Sequence, residues 1–352
     1  CIRDSNNHVV IMAGGIGSRF WPMSTPEKPK QFIDILGTGK TLLQSTVDRF
    51  RNVCPMQNIW VVTALKFKSL VEEQLPELPR SNILLEPCMR NTAPCVAYVA
   101  WKIKKKYPEA NLVISASDHV VTDVFEFDRV IHAGLDFTAS GDHILTLGMR
   151  PTRPETGYGY IQVGAEQAGE IQKVVSFKEK PDLETAKTYL ESRNFTWNSG
   201  IFLWSVRTIE KAFRTYQPKM AELFDSMEAV YYTSEEQRAI DDKFPCCEKI
   251  SIDYAIMEHA PNIYVFPADF GWSDLGTWGS LHELSRKDEQ NNAVIGGQVK
   301  LVECDDCIVR IGADRKMVVQ GLEGYIVAEQ GGVFLICKKT EEQRIKEFSE
   351  GM

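Results

Sequence analysis

Five short apolar runs, HVVIMAG (8–14), IWVVTA (59–64), NILLEP (82–87), NLVISASD (111–118) and HILTLGM (143–149), recur with segments of helical period between them. A strand that is apolar at nearly every position must be covered on both faces, and a helix between two strands lets both run the same way. The intervening segments are TLLQSTVDRF (41–50) behind a Thr41/Gln44 capping box, KFKSLVEEQL (66–75), Thr92 to Lys106, and 125–139. The pattern predicts an α/β fold with a mostly parallel sheet.

Farther on the pattern mixes, with strands at GYGYIQV (157–163), KVVSFKEK (173–180) and SGIFLWSV (199–206), a helix through LETAKTYLES, and polar helices from 207 to 260. Beyond Asn291 it changes again, to short β pieces (GGQVKLVE, CIVRIG, KMVVQG, GYIVAEQ, GVFLICKK) with turn glycines and a charged helix at the end. We therefore expect residues 1–291 to form the main domain and 292–352 a small β unit. Its apolar residues are too few for an independent core, so it must pack on the main domain or on a second copy.

Lys plus Arg number 40 against 48 Asp plus Glu, a formal charge of −8, which argues against a nucleic-acid-binding surface. No apolar stretch approaches a membrane span and the first residues do not read as a secretory leader, so the expected location is cytoplasmic, away from membranes. Nine cysteines, an odd number with Cys246 and Cys247 adjacent, do not suggest an ordered disulfide framework, and Cys304-x-x-Cys307 lacks the second ligand pair of a zinc site. Reduced thiols and no structural metal are expected.

In parallel sheets ligands gather at the carboxyl ends of the strands. The loop there reads Ala13-Gly14-Gly15-Ile16-Gly17-Ser18-Arg19-Phe20, and its glycines let backbone N–H groups approach phosphate oxygens while Arg19 and Lys30 supply positive charge. Phe20 stands where the dinucleotide fingerprint needs its third glycine, and Asp34 where a P-loop ending in Gly39-Lys40-Thr41 needs its first, so neither familiar motif applies. Taken alone, the loop reads equally well as a tight turn beside two surface cations.

GGIGSRFWPMS followed by PEKPKQF is similar to the signature of the sugar-nucleotide pyrophosphorylases. The resemblance continues in order through EPCMRNTAPCVAYVA (86–100), SASDH (115–119), GYGYIQVG (157–164), FKEKPD (177–182), WNSGIFLW (197–204), SIDYAIME (251–258) and GWSDLGTW (271–278). It implies a Rossmann-like nucleotidyltransferase domain followed by a short C-terminal left-handed β-helix segment, which in such proteins also meets its counterpart in a homodimer. It is strongest toward members that use GTP and mannose-1-phosphate and release GDP-mannose and pyrophosphate. A nucleotidyltransferase for another hexose- or heptose-1-phosphate, or an inactive member that binds nucleotide sugars, is the alternative.

The resemblance also implies roles. Asp118 and Asp274 would hold Mg²⁺, whose preference for oxygen ligands suits two carboxylates. Arg19 would bind the triphosphate, supported by Ala13, Gly14, Gly15, Gly17 and Ser18, and Lys30 would act on the phosphate side of the reaction centre. Lys180 would meet the sugar phosphate, with Gly159, Glu179 and Asn198 at the sugar. Guanine presents N1–H and its exocyclic amine side by side, two donors that one carboxylate can accept; Glu86 is the candidate, with Asn91 and Thr92 beside it. No nucleophilic side chain is required, because the sugar phosphate is itself the nucleophile.

Overall fold

The computed structural model describes residues 6–15 and 17–351, Ser18 by its backbone only. In its first part, β1 (Asn7–Ala13) leads to α1 (Leu42–Arg49), then β2 (Ile59–Ala64), α2 (Lys68–Gln74), β3 (Ile83–Glu86), α3 (Thr92–Lys106), β4 (Asn111–Ala116), β5 (Val120–Val121), α4 (Val124–Ala139) and β6 (Ile144–Met149). The capping box at the start of α1 is present: the Thr41 amide donates to Gln44 Oε1 at 3.0 Å and the Gln44 amide to Thr41 Oγ1 at 3.3 Å.

Next come β7 (Gly159–Ala168), β8 (Ile171–Glu179), α5 (Leu183–Ser192), β9 (Phe195–Ser205), α6 (Val206–Tyr216), α7 (Pro218–Asp225), α8 (Glu236–Lys243), β10 (Ile263–Ala268), β11 (Trp272–Ser273) and α9 (Trp278–Leu284). The chain ends with β12 (Ala293–Val302), β13 (Ile308–Gln320), β14 (Tyr325–Gln330), β15 (Val333–Lys338) and α10 (Ile345–Phe348).

The described residues fall into two compact units. The first comprises residues up to Gly14, Val47–Ser117 and Val121–Trp272; the second comprises Gly15–Thr46, Asp118–Val120 and Ser273 onward.

The first unit is built on a sheet in the order β3-β2-β1-β4-β9-β6-β10-β8-β7. Strands β3, β2, β1 and β4 are parallel, and so are β6 and β10. The expected mostly parallel sheet needs correction beyond them, because β9 runs antiparallel between β4 and β6, while β7 pairs antiparallel with β8 and β9. An apolar run reports burial on both faces, not direction. The IFLW stretch of β9 (Ile201, Phe202, Leu203, Trp204) is as buried as any parallel strand. Its core continues through α3, buried from Ala93 to Ile103, and through Phe213, Phe224 and Phe244.

In the second unit β12, β13 and β14 pair parallel in succession, the arrangement of stacked β-helix coils, and β15 closes the sheet antiparallel. Their inner residues Ile295, Ile308, Ile326, Ala328 and Leu335 share a core with Phe20, Met23, Ile35, Leu42 and Trp278. The small β unit thus finds its cover in the residues that follow the glycine loop. Among the described residues no helix is long and apolar enough to cross a membrane, and Cys304 and Cys307 are free thiols that donate to backbone carbonyls.

Candidate active site

In the second unit the chemistry-bearing residues converge on Lys30, which is buried in the short helical turn Lys30–Phe32. Its Nζ lies 3.0 Å from Asp118 Oδ2 and donates at 3.0 Å to each of the carbonyls of Asp274 and Leu275. An ammonium has three N–H bonds, and all three are used. The expected Lys30 is thus joined to both expected metal carboxylate residues, as the group that holds them. Burial pushes the Asp118 carboxyl up, but the Lys30 ammonium and His119 outweigh it and hold it below the usual aspartate range.

The glycine loop is shaped around the same lysine. A Cβ on Gly17, at φ +60°, would lie 2.9 Å from Lys30 Cγ, so any side chain there would displace it. The Gly17 carbonyl also accepts the hydroxyl of Ser24, a residue the sequence did not single out. Gly15 is open to solvent at φ +93°, Gln31 Nε2 donates to its carbonyl at 3.3 Å, and the exposed Arg19 donates to the Gly276 carbonyl at 3.3 Å. Asp274 Oδ1 accepts the Gly276 amide at 3.1 Å. Ile16 and the Ser18 side chain lie outside the described residues.

Asp118 and Asp274 are all-oxygen donors, and among the described residues they belong to no cluster of three or more metal-ligating side chains. Such a set fits a hard divalent cation that takes its remaining ligands from phosphate and water, and does not suit a closed zinc site.

In the first unit two groups of residues form. Ala13 ends β1 and its carbonyl accepts Thr63 Oγ1 at 2.9 Å, while Gly14 beyond it is exposed. Glu86 closes β3 with Oε1 buried and without a hydrogen-bond partner, and the Cys95 thiol on α3 bonds to its carboxyl. Burial pushes this carboxyl up to about 7. Asn91 precedes α3 at φ +61° and its side chain does not cap the helix; Thr92 Oγ1 accepts the Ile252 amide at 2.8 Å.

The second group gathers around Gly159, the register partner of Glu179. A Cβ on Gly159 would lie 2.6 Å from Glu179 Oε2 and 3.3 Å from Asn198 Cβ, so the glycine keeps open the space that both side chains flank. Lys180, at φ +47°, pairs with Glu179 at 2.7 Å; the ammonium is mostly exposed and the carboxylate nearly buried. Asn198 Nδ2 donates to Asp253 Oδ1 at 3.0 Å, and Asp253 is a carboxylate that sequence reasoning missed. Its signal lay in the SIDYAIME motif, where nothing local distinguished it from a helix-starting aspartate.

A mixed α/β sheet, a glycine loop after its first strand and a lysine that holds the Asp118 carboxylate and the Asp274 and Leu275 carbonyls are the features of a nucleotidyltransferase. The nucleotidyl transferase family matches residues 8–291, and the chain belongs to that family. It is 38% identical to a mannose-1-phosphate guanylyltransferase of Salmonella montevideo, over 96% of this chain and 74% of that protein. It is 34% identical to the mannose-1-phosphate guanylyltransferase of Escherichia coli (strain K12), over 96% of this chain and 73% of that one. A crystal structure from Thermus thermophilus, described as a mannose-1-phosphate geranyltransferase, matches with a TM-score of 0.88 and 29% identity over 97% of this chain and 98% of its own.

Proposed function

We propose that the chain transfers GMP from GTP to mannose-1-phosphate, giving GDP-mannose and pyrophosphate. An oxygen of the sugar phosphate attacks the α-phosphorus, a new P–O bond forms, and the bond to the β-phosphate oxygen breaks. Two anions must approach one another, so the chain's task is positioning and charge neutralisation.

The observation that carries the choice of nucleotide is the buried, unpartnered Oε1 of Glu86. As a carboxylate, Glu86 accepts both N1–H and the exocyclic amine of guanine, while Asn91 and Thr92 line the same pocket. The amides of the glycine loop, with Arg19, take the triphosphate. Lys30 keeps Asp118 and the Asp274 turn in place, and its positive charge acts on the phosphates without giving up those bonds. Mg²⁺ on Asp118 and Asp274 would neutralise the charge that builds up between the two phosphates. Glu179 accepts from a sugar hydroxyl, Asn198 donates to one, and Lys180 extends its exposed ammonium to the sugar phosphate.

Residues 1–291 hold these groups and 292–352 support them. We assign the protein to the cytoplasm and to a homodimer formed through the outer face of the β unit, where Val318, Phe334 and Ile336 are exposed. Light scattering at about twice the 39.8 kDa chain mass supports the dimer, and a strictly monomeric active protein contradicts it. Pyrophosphate release across a grid of nucleoside triphosphates and sugar-1-phosphates tests the reaction. GTP with mannose-1-phosphate is expected to give the highest kcat/KM, and a higher value for another pair overturns the assignment.

A further inference from the structure

We propose that Asp253 is a positioning residue that fixes the side-chain amide of Asn198 as a one-way donor to the sugar. The inference rests on the assignment of Asn198 to the sugar phosphate and says how that residue discriminates.

An asparagine side chain brings two N–H bonds and a carbonyl oxygen with two lone pairs. In Asn198 the oxygen accepts the Gly200 amide at 3.1 Å and the hydroxyl of Thr146, shared with the Ile201 carbonyl, at 3.1 Å, so both lone pairs are engaged. One N–H is occupied too, on Asp253 Oδ1 at 3.0 Å. A flipped amide would set its NH₂ against the Gly200 N–H and its oxygen against the Asp253 carboxyl, two repulsive contacts in place of two bonds. One N–H therefore remains for a ligand, and Asn198 cannot act as an acceptor.

Across the space kept open by Gly159 stands Glu179, which can only accept when ionised. A ligand hydroxyl between them must give its hydrogen to Glu179 and offer its oxygen to Asn198. A polyol ring satisfies this polarity with one hydroxyl or with two neighbouring ones. A deoxy sugar, or an ether that cannot donate, gives no hydrogen to the Glu179 Oε2 that faces Gly159.

Asp253 lies in the π-helical turn Asp253–Met257, half-buried beside Glu179 and Lys180. Its oxygen can accept from Asn198 whether the carboxyl is charged or neutral, so the hydrogen bond, more than the charge, does the positioning. The amide of an asparagine at 253 can accept in the same way, whereas alanine cannot.

The test is steady-state kinetics of Asp253→Ala and Asp253→Asn in the full chain, with GTP and mannose-1-phosphate varied in turn. Asp253→Ala is expected to raise the KM for the sugar phosphate by about tenfold, the worth of one well-placed hydrogen bond, while the KM for GTP stays within a factor of about two. Asp253→Asn is expected to restore most of that loss. KM does not depend on how much of a variant is folded, so partial misfolding lowers the rate without imitating the result. An unchanged sugar-phosphate KM in Asp253→Ala overturns the inference, as does an equal rise in both KM values or an Asn variant as impaired as the Ala one. A wild-type chain that turns over no sugar phosphate overturns the reading beneath it, and the inference with it.

Discussion

Lys30 Nζ lies 3.0 Å from Asp118 Oδ2, and its other two hydrogens go to the carbonyls of Asp274 and Leu275, so one ammonium ties a strand-end carboxylate to the GWSD turn. Removing it leaves a largely buried carboxylate without its countercharge and two carbonyls without a donor. Lys30→Met is expected to cost roughly 3 kcal/mol, and kcat/KM should fall by about a hundredfold or more. Arginine offers a planar fork where three diverging donors are needed, so Lys30→Arg should rescue little. Near wild-type kinetics and melting temperature in Lys30→Arg would show that only the charge matters.

The carboxylates themselves give a second expectation. Asp118→Asn and Asp274→Asn each remove a negative oxygen from an all-oxygen donor set, which should weaken Mg²⁺ binding and lower turnover more than substrate affinity. Chelation of divalent ions should abolish the wild-type rate, and added Mg²⁺ should restore it. If either variant keeps the wild-type rate and Mg²⁺ dependence, the metal assignment for that residue is wrong.

The proposed role of Glu86 in base choice predicts a pH dependence. Its pKa stands near 7 because burial disfavours the charge, so below that pH the neutral acid dominates, and a neutral acid cannot accept both guanine donors. The KM for GTP should therefore fall as pH rises from about 6 to 8, around that pKa. The effect on stability has the opposite sign: a raised carboxyl pKa stabilises the fold at low pH, and that contribution is lost as pH rises from the ordinary 4.5 through about 7. Glu86→Gln should flatten the KM profile and reduce the preference for GTP over ATP by roughly 1 to 3 kcal/mol. Unaltered discrimination would move base reading to other groups.

Much of this was legible in the sequence for physical reasons. The α3 boundaries follow from its buried face and the prolines and asparagines around it, and Glu86, Lys30 and Asp118 stand at the strand ends and loops where a parallel sheet places ligands. The reversal of β9 was hidden, because Ile201 to Trp204 are buried on both faces whichever way they run. The Asp253 and Thr146 contacts to Asn198 join residues 55 and 52 positions apart, and no local periodicity encodes them. That Lys30 spends all its donors on protein acceptors is likewise a property of three dimensions.

Acid stability should report a residue outside the site. His8 is fully buried at the start of β1, where Nδ1 accepts Trp60 Nε1–H at 3.1 Å and the ring lies against Tyr107. Burial holds its pKa at about 4 against the ordinary 6.5, so it is neutral in the fold. A depressed histidine pKa contributes stability that is present above about 6.5 and is lost as pH falls through 4, a total of about 3 kcal/mol. His8→Gln can keep an acceptor for Trp60 without titrating. Its urea unfolding free energy should change less between about pH 7 and pH 4 than that of the wild type, and an equal change would assign the acid sensitivity elsewhere.

The β unit shares its core with the segment that follows the glycine loop. Ile308 and Ile326 are fully buried in the core that also takes Phe20, next to Arg19, and Met23 of the segment following Gly17. Ile326→Ala opens a cavity there and should cost about 2 to 5 kcal/mol of stability. Because the glycine segment rests on that core, the KM for GTP should rise in the same variant, while the KM for the sugar phosphate, whose candidate residues lie in the other compact unit, should change little. A chain cut after Asn291 loses Ile295, Ile308, Ile326, Ala328, Leu335 and Ile345 from this core, although it keeps every candidate site residue. It should be poorly soluble and should bind GTP weakly. Thermal melting with GTP binding measured by calorimetry decides the matter: a soluble truncated chain with wild-type GTP affinity would show that the glycine loop stands without the β unit.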